Sequence, residues 1–287
     1  MTRIFNLVTI FFKSLVNILV VILHLPGLFC VRKMGIRING RIHVLGNGPS
    51  LKDDYPALLS DLSESDSIMV VNSFACTDYF EKLKPQYYIL VDPAFFIETT
   101  DERIKGLQKS ISDALILKTQ WPLHLLLSHT ARKSPFVKRL MENKNIVLDF
   151  IRVVPVYDGS ESLNRLFYKH DLATPPFRNV LIAAIFFCIK MSPKEIVIWG
   201  ADHSWHEDLI LGRDNVLYIK DKHFYEGNPK MMAHRNKFGE PIKVHEMFTI
   251  LARALKIYHV LEAFSHLYNC RIVNKSSITW IDAFVRE

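Results

Sequence analysis

The sequence predicts an α/β fold: a Rossmann-like, doubly wound, mostly parallel sheet with an N-terminal hydrophobic helix and a polar lid loop. Three observations predict it. From residue 41 onward, short apolar runs alternate with helical stretches. Several of those runs end in glycine, asparagine or aspartate. Ahead of them, residues 4–29 are almost wholly apolar, unlike the rest of the chain.

The alternation gives the sheet. Residues 42–45, 67–71, 86–91, 114–118, 145–150 and 195–199 read as strands, with a last strand at 271–273. Helical patterns cover 101–110, 135–143, 180–191 and 244–267. Apolar runs of four to six residues separated by helices fit strands covered on both faces, which is the habit of parallel sheets. The chain has 287 residues, 49% hydrophobic and 23% charged, enough for one large domain and not the composition of a disordered chain. We place the catalytic domain at 41–287 and within it a polar lid at 201–243, too long and too polar for a passive connection.

Residues 1–33 form the other unit, a membrane-associated hydrophobic or amphipathic helix. The apolar stretch 4–29 would reach ~39 Å as a helix, long enough to cross a bilayer. Its polar residues Asn6, Lys13, Asn17 and His24 are spaced by seven, four and seven, a narrow stripe on one helix face. Such a stripe suits a helix in the membrane interface or against a partner. Basic residues flank both ends, so charge sets no orientation, and peripheral and single-pass attachment both remain open. The formal net charge of +7 and pI near 9.1 suit an anionic partner, such as a nucleotide or a membrane. We expect no nucleic-acid partner. The four cysteines form no CxxC pair, which excludes a zinc knuckle and fits a reducing compartment.

Polar strand ends mark the candidate site, because ligands of open α/β sheets bind beyond the carboxyl ends of strands. Gly46-Asn47-Gly48-Pro49-Ser50 follows the first strand and precedes a helix start. Glycines let backbone approach a phosphate, and free N–H groups there attract anions. The motif is neither GxGxxG nor the Walker sequence. Asn72 and Asp92 end two further strands. Asp202-His203-Ser204 ends another, where His203, His206 and Asp202 have metal-ligand types, although ligand contact is the reading we adopt and no metal site is expected. His245 opens the last long helix and is the candidate general base. No DxD motif exists, which favours metal-independent chemistry.

These residues, Val44 to Leu51, then Asn72-Ser73-Phe74, Asp92 to Phe96, Arg178-Asn179 and Lys194 to Asp202, resemble the nucleotide half of bacterial lipooligosaccharide sialyltransferases. They are also similar to the 6-hydroxymethylpterin diphosphokinase-like family (MptE-like) and to the motility accessory factors. Only short motifs match, in order, over residues 41–275. The resemblance implies a GT-A-like variant of the fold. It implies that Asn47, Asn72 and Arg178 contact the nucleotide, that lid tyrosines such as Tyr218 or Tyr225 assist the leaving phosphate, and that a histidine acts as base. The chain departs from the family at Leu181, where a phosphate-binding serine is expected, and Ser204 stands where one tyrosine would be.

The expectation is therefore a glycosyltransferase at the cytoplasmic face of the inner membrane. It moves a sugar from a nucleotide-activated donor, possibly a CMP-linked acidic sugar, to a surface-glycan or lipid-linked acceptor, with no cofactor required. His245, His203 and Tyr225 are its catalytic candidates. Gly46, Asn47, Gly48, Ser50, Asn72, Asp92, Arg178, Asn179, Asp202, Ser204 and Tyr218 are its nucleotide contacts. The alternatives are an Mg²⁺-dependent diphosphokinase and a non-catalytic nucleotide-binding factor of glycan assembly.

Overall fold

The computed structural model describes residues 2–30, 35–221, 230–233, 235 and 239–287. It begins with helix α1 (Thr2–His24) and a short 3-10 turn (Leu25–Cys30). Then follow β1 (Arg41–Leu45), α2 (Leu51–Asp61), β2 (Ser67–Val71), α3 (Tyr79–Leu83), β3 (Tyr87–Leu90) and α4 (Glu102–Lys118). The next elements are β4 (Leu123–Ser128), α5 (Pro135–Leu140), β5 (Ile146–Ile151), α6 (Glu161–Lys169), α7 (Val180–Lys190) and β6 (Glu195–Trp199). The chain closes with β7 (Leu209–Leu211), β8 (Leu217–Asp221), β9 (Lys230–Ala233), α8 (Val244–Ser265), β10 (Arg271–Asn274) and β11 (Val285–Arg286).

Eight strands form one sheet in the order β11-β10-β6-β1-β2-β3-β4-β5, and every pairing in it is parallel. The strand order reverses between β1 and β6, whose partners run in register from Arg41–Glu195 to Leu45–Trp199. That reversal opens a crevice at the carboxyl ends of the two strands. Helices cover both faces. On one, α7 lies against β1, β2, β3 and β6. Its sequence VLIAAIFFCIK leaves almost no residue exposed, so its apolar character all round is that of a core helix. Residues of α6, α8 and α1 complete this side of the core. On the other face, α2, α4 and α5 bury Leu58, Ile111, Leu115 and Leu140 against the sheet.

One predicted strand is corrected. Residues 114–118 are the last turns of α4, and the strand that follows is β4. An apolar run this short has no period that separates a buried strand from the buried end of a helix. Within 201–243 the chain forms a three-stranded antiparallel sheet, β7-β8-β9, that the polar composition concealed.

Polar groups also tie the sheet centre together. Trp199 Nε1 donates to His43 Nδ1 at 3.1 Å, and His43 Nε2 lies 3.3 Å from Asp66, which pairs with Arg41 at 2.7 Å. Burial alone would raise the Asp66 carboxyl, yet hydrogen bonds from Arg41, Ser63 and His43 hold it down to about 2. Burial also lowers the His43 imidazole, so the ring sits neutral between them.

Candidate functional site

A cavity of about 960 Å³ occupies the crevice. One wall consists of residues 46–49 after β1 and 200–208 after β6. The floor brings Val71 and Asn72 from β2, and Val91 and Asp92 from β3. The opposite wall comes from 153–157 and 176–181, including Tyr157 and Arg178. The structure thus brings together Gly46, Asn47, Gly48, Asn72, Asp92, Arg178, Asn179, Asp202, His203 and Ser204.

The first wall is closed on itself. Gly46 N donates to Trp199 O at 2.8 Å and Gly48 N to Gly200 O at 2.9 Å. Asp202 accepts from Ser50 N at 2.9 Å and from Ser50 Oγ at 2.6 Å. Burial raises the Asp202 carboxyl, while these two donors act to lower it. The glycines have a packing reason: a Cβ on Gly48 would stand 2.6 Å from Gly200 O and closer still to Asp202 Oδ1. Sequence reasoning assigned these N–H groups and Ser50 to a phosphate. They instead bolt two strand-end loops together, and Ser50 is buried behind the cavity wall. Among the described residues, the Asn47 N–H has no partner within the loop.

What remains open is amide and guanidinium. Among the described residues, the Oδ1 atoms of Asn47 and Asn72 are both buried without a hydrogen-bond partner. Unmatched buried amide oxygens are costly, and a site that keeps two of them is prepared for donors from a ligand. Asn72 also holds a left-handed backbone (φ 49°), a conformation asparagine tolerates better than most residues. Its carbonyl accepts from the Tyr88 hydroxyl, which fixes the turn. Arg178 is exposed on the far wall with its guanidinium 5.5 Å from the centre of the Tyr157 ring. That stacking orients its donors without consuming them.

Asn179 has a double task. Its Oδ1 caps α7 by accepting from Ile182 N at 3.0 Å and also accepts from the Tyr258 hydroxyl at 3.2 Å. Its Nδ2 lies 3.4 Å from His203 Nε2, which the Tyr258 hydroxyl also meets. The Tyr258 hydroxyl has one proton to share between Asn179 Oδ1 and His203 Nε2, so the three side chains form a closed hydrogen-bonded cluster. Burial pushes His203 down to about 3, so it is a neutral hydrogen-bonding group and a poor proton acceptor. His203 and Gly200 also have positive φ (54° and 63°), so backbone strain collects at this strand end.

Other expected residues fall outside. His245 is exposed in the first turn of α8 and does not line the cavity. Its neighbours Ile242 and Met247 pack against Leu217 in a small core of their own. Tyr218 gives its hydroxyl to Asp214 at 2.9 Å, while Ile219, the next residue in β8, reaches the cavity on the opposite strand face. Tyr225 lies outside the described residues. His206 packs edge-on against Trp280, 4.1 Å between ring centres, and does not converge with His203. Among the described residues, no three His, Cys, Asp or Glu side chains gather as metal ligands. No sequence pattern marks Tyr157, in an irregular stretch, or Tyr258, inside a helix.

The fold and site define a Rossmann-like α/β protein with a ligand-sized crevice at the point where strand order reverses. In comparisons with known proteins, the chain matches no protein-family model, no curated protein and no solved structure.

Proposed function

We propose that the protein is a membrane-associated glycosyltransferase that moves a sugar from a nucleotide-activated donor to a surface-glycan or lipid-linked acceptor. The observation that supports it best is the pair of unpartnered amide oxygens, Asn47 and Asn72, in a crevice that Arg178 faces. The amides suit a base edge or sugar hydroxyls, and the guanidinium suits a phosphate. In this reading Arg178 stabilises the departing phosphate, as a preorganised donor does for developing charge. The general base passes from His245 to a cavity carboxylate. Asp92 is the first candidate: it lines the cavity, and one of its oxygens caps Ala94 N at 2.9 Å. The donor, a CMP-linked acidic sugar among others, serves as substrate, and the reading requires no cofactor.

One observation favours a second reading. Among the described residues, Arg178 is the only lysine or arginine lining the cavity, against the carboxylates Asp92, Asp202, Glu207 and Asp208. That balance suits a nucleotide carrying Mg²⁺, whose shell would be completed by phosphate oxygens, as in a diphosphokinase. Calorimetry of the full chain with CMP, UDP, GDP and ATP, with Mg²⁺ or EDTA, separates the two. Binding of a CMP or UDP ligand that survives EDTA supports the transferase. Binding of ATP alone, abolished by EDTA, overturns it. Binding without turnover of any sugar nucleotide would leave a nucleotide-binding assembly factor. The expected location is the cytoplasmic face of a membrane.

A further inference from the structure

Helix α1 has two faces with different fates. By length and composition, residues Phe5–Gly27 are able to cross a membrane, and only 11% of the most apolar window is buried. The buried residues are Ser14, Asn17 and Val21, on one face. Asn17 Nδ2 donates to the carbonyls of Tyr157 (2.7 Å) and Asp158 (2.8 Å) and to Asn164 Oδ1 (3.0 Å). Ser14 Oγ accepts from Ser160 N at 2.9 Å, and Lys13 pairs with Asp158 at 2.8 Å. Gly159, at φ +88°, lets the loop press on the helix, since a Cβ there would meet Ser14 N at 3.1 Å. Further along, Val21 enters the main core and the Arg152 guanidinium reaches the His24 carbonyl.

This docking runs from Lys13 to His24, half of the length a crossing needs. A span takes about 20 residues through some 30 Å of hydrocarbon. If α1 crossed while docked, Asp158, Arg152 and the loop carbonyls would enter the hydrocarbon, at several kcal/mol for each unsatisfied or charged group. If it undocked to cross, Lys13, Ser14 and Asn17 would face lipid and the 157–160 turn would lose its partners. Cleavage as a signal peptide would strip the same partners from the turn.

We infer that α1 is an in-plane anchor: it lies in one leaflet with its apolar face in the acyl boundary, and both chain ends stay on the domain's side. The occupant of that face is an anionic bilayer. Phe5, Phe11, Phe12, Leu15, Leu19 and Ile22 are exposed along it, with no polar atom among these side chains to set the register a specific protein interface needs. The sequence places Arg3 before this stretch and Arg32 and Lys33 after it, and the chain carries +7 overall, which suits acidic headgroups. Tyr157, whose carbonyl α1 holds, also lies under Arg178, so the open wall of the crevice is tied to the membrane-bound edge. None of this depends on which reaction the crevice performs.

Full-length protein tagged at both ends, in sealed inverted membrane vesicles, tests the inference. Added protease should remove both tags equally. Protection of one tag while the other is cut overturns the proposal. A second measurement uses purified protein and vesicles of phosphatidylcholine with or without phosphatidylglycerol. Leu15→Glu with Ile22→Glu, both on the exposed face, should weaken binding to anionic vesicles at least tenfold with an unchanged Tm. Unchanged binding, or a soluble dimer of full-length protein that ignores vesicles, also overturns it.

Discussion

The two walls of the crevice are built on opposite principles. The wall of residues 46–50 and 200–202 satisfies itself except at Asn47, with Gly46, Gly48 and Ser50 donating to strand-end carbonyls and to Asp202. The wall of 153–157 and 176–181 holds its cation by stacking and leaves the guanidinium facing the cavity. Glycine-rich sequence after a first strand suggests a phosphate loop, yet here glycine serves close backbone packing. Within the motif only Asn47 is left for a ligand. Lesions in the first wall should cost stability, and lesions in the second should cost binding.

The largest expected effect is at Asp202. Removing its carboxylate by Asp202→Ala leaves Ser50 N and Oγ buried without acceptors, worth about 3 kcal/mol. That corresponds to a fall in Tm of roughly 6–12 °C by calorimetry. A Tm within 2 °C of the parent would break the comparison. Next is Gly48→Ala, whose new Cβ meets Gly200 O and Asp202; overpacking of this kind costs about 1–3 kcal/mol. In the other wall, Arg178→Ala should leave Tm unchanged and weaken nucleotide binding by about 10–100-fold, the value of a hydrogen bond to a charged group. A large loss of Tm there, with affinity intact, would reverse the assignment of the walls.

Much of this organisation was legible from the chain. Polar residues at the ends of β1, β2, β3 and β6 gave away the crevice, because a parallel strand has little other reason to stop in Asn or Asp. The stripe on α1 was legible too, but only Lys13 and Asn17 of its four residues reach the domain through their side chains. Asn6 stays exposed, and His24 Nδ1 lies 2.8 Å from the Val20 carbonyl of its own helix. Other features were hidden for physical reasons. Which N–H groups are free depends on the loop across the crevice, 150 residues away in sequence, so Ser50 and Asp202 looked like ligand contacts. His245 looked like a base from its place before a helix, and only the fold shows that it does not line the cavity. Tyr258 is one aromatic among many in an apolar helix until the fold brings it to His203.

His203 stands where the walls meet, attached to β6 through the backbone and to the second wall through Asn179 and Tyr258. It gives the smallest predicted effect. Its folded value is lowered to about 3, whereas the unfolded imidazole titrates near 6.5. Well above pH 6.5 neither state binds the proton and the residue contributes no pH dependence. Between 6.5 and 3 the unfolded chain binds a proton that the folded chain refuses, so stability falls as pH falls. From pH 7 to 6 the loss from this residue is on the order of 0.7 kcal/mol. His43 and His129 titrate in the same direction, so the parent slope contains all three groups. Denaturant unfolding at pH 7 and 6 should show the loss in the parent and a smaller one in His203→Gln. Equal losses in the two proteins would mean that the imidazole is not held neutral between the walls.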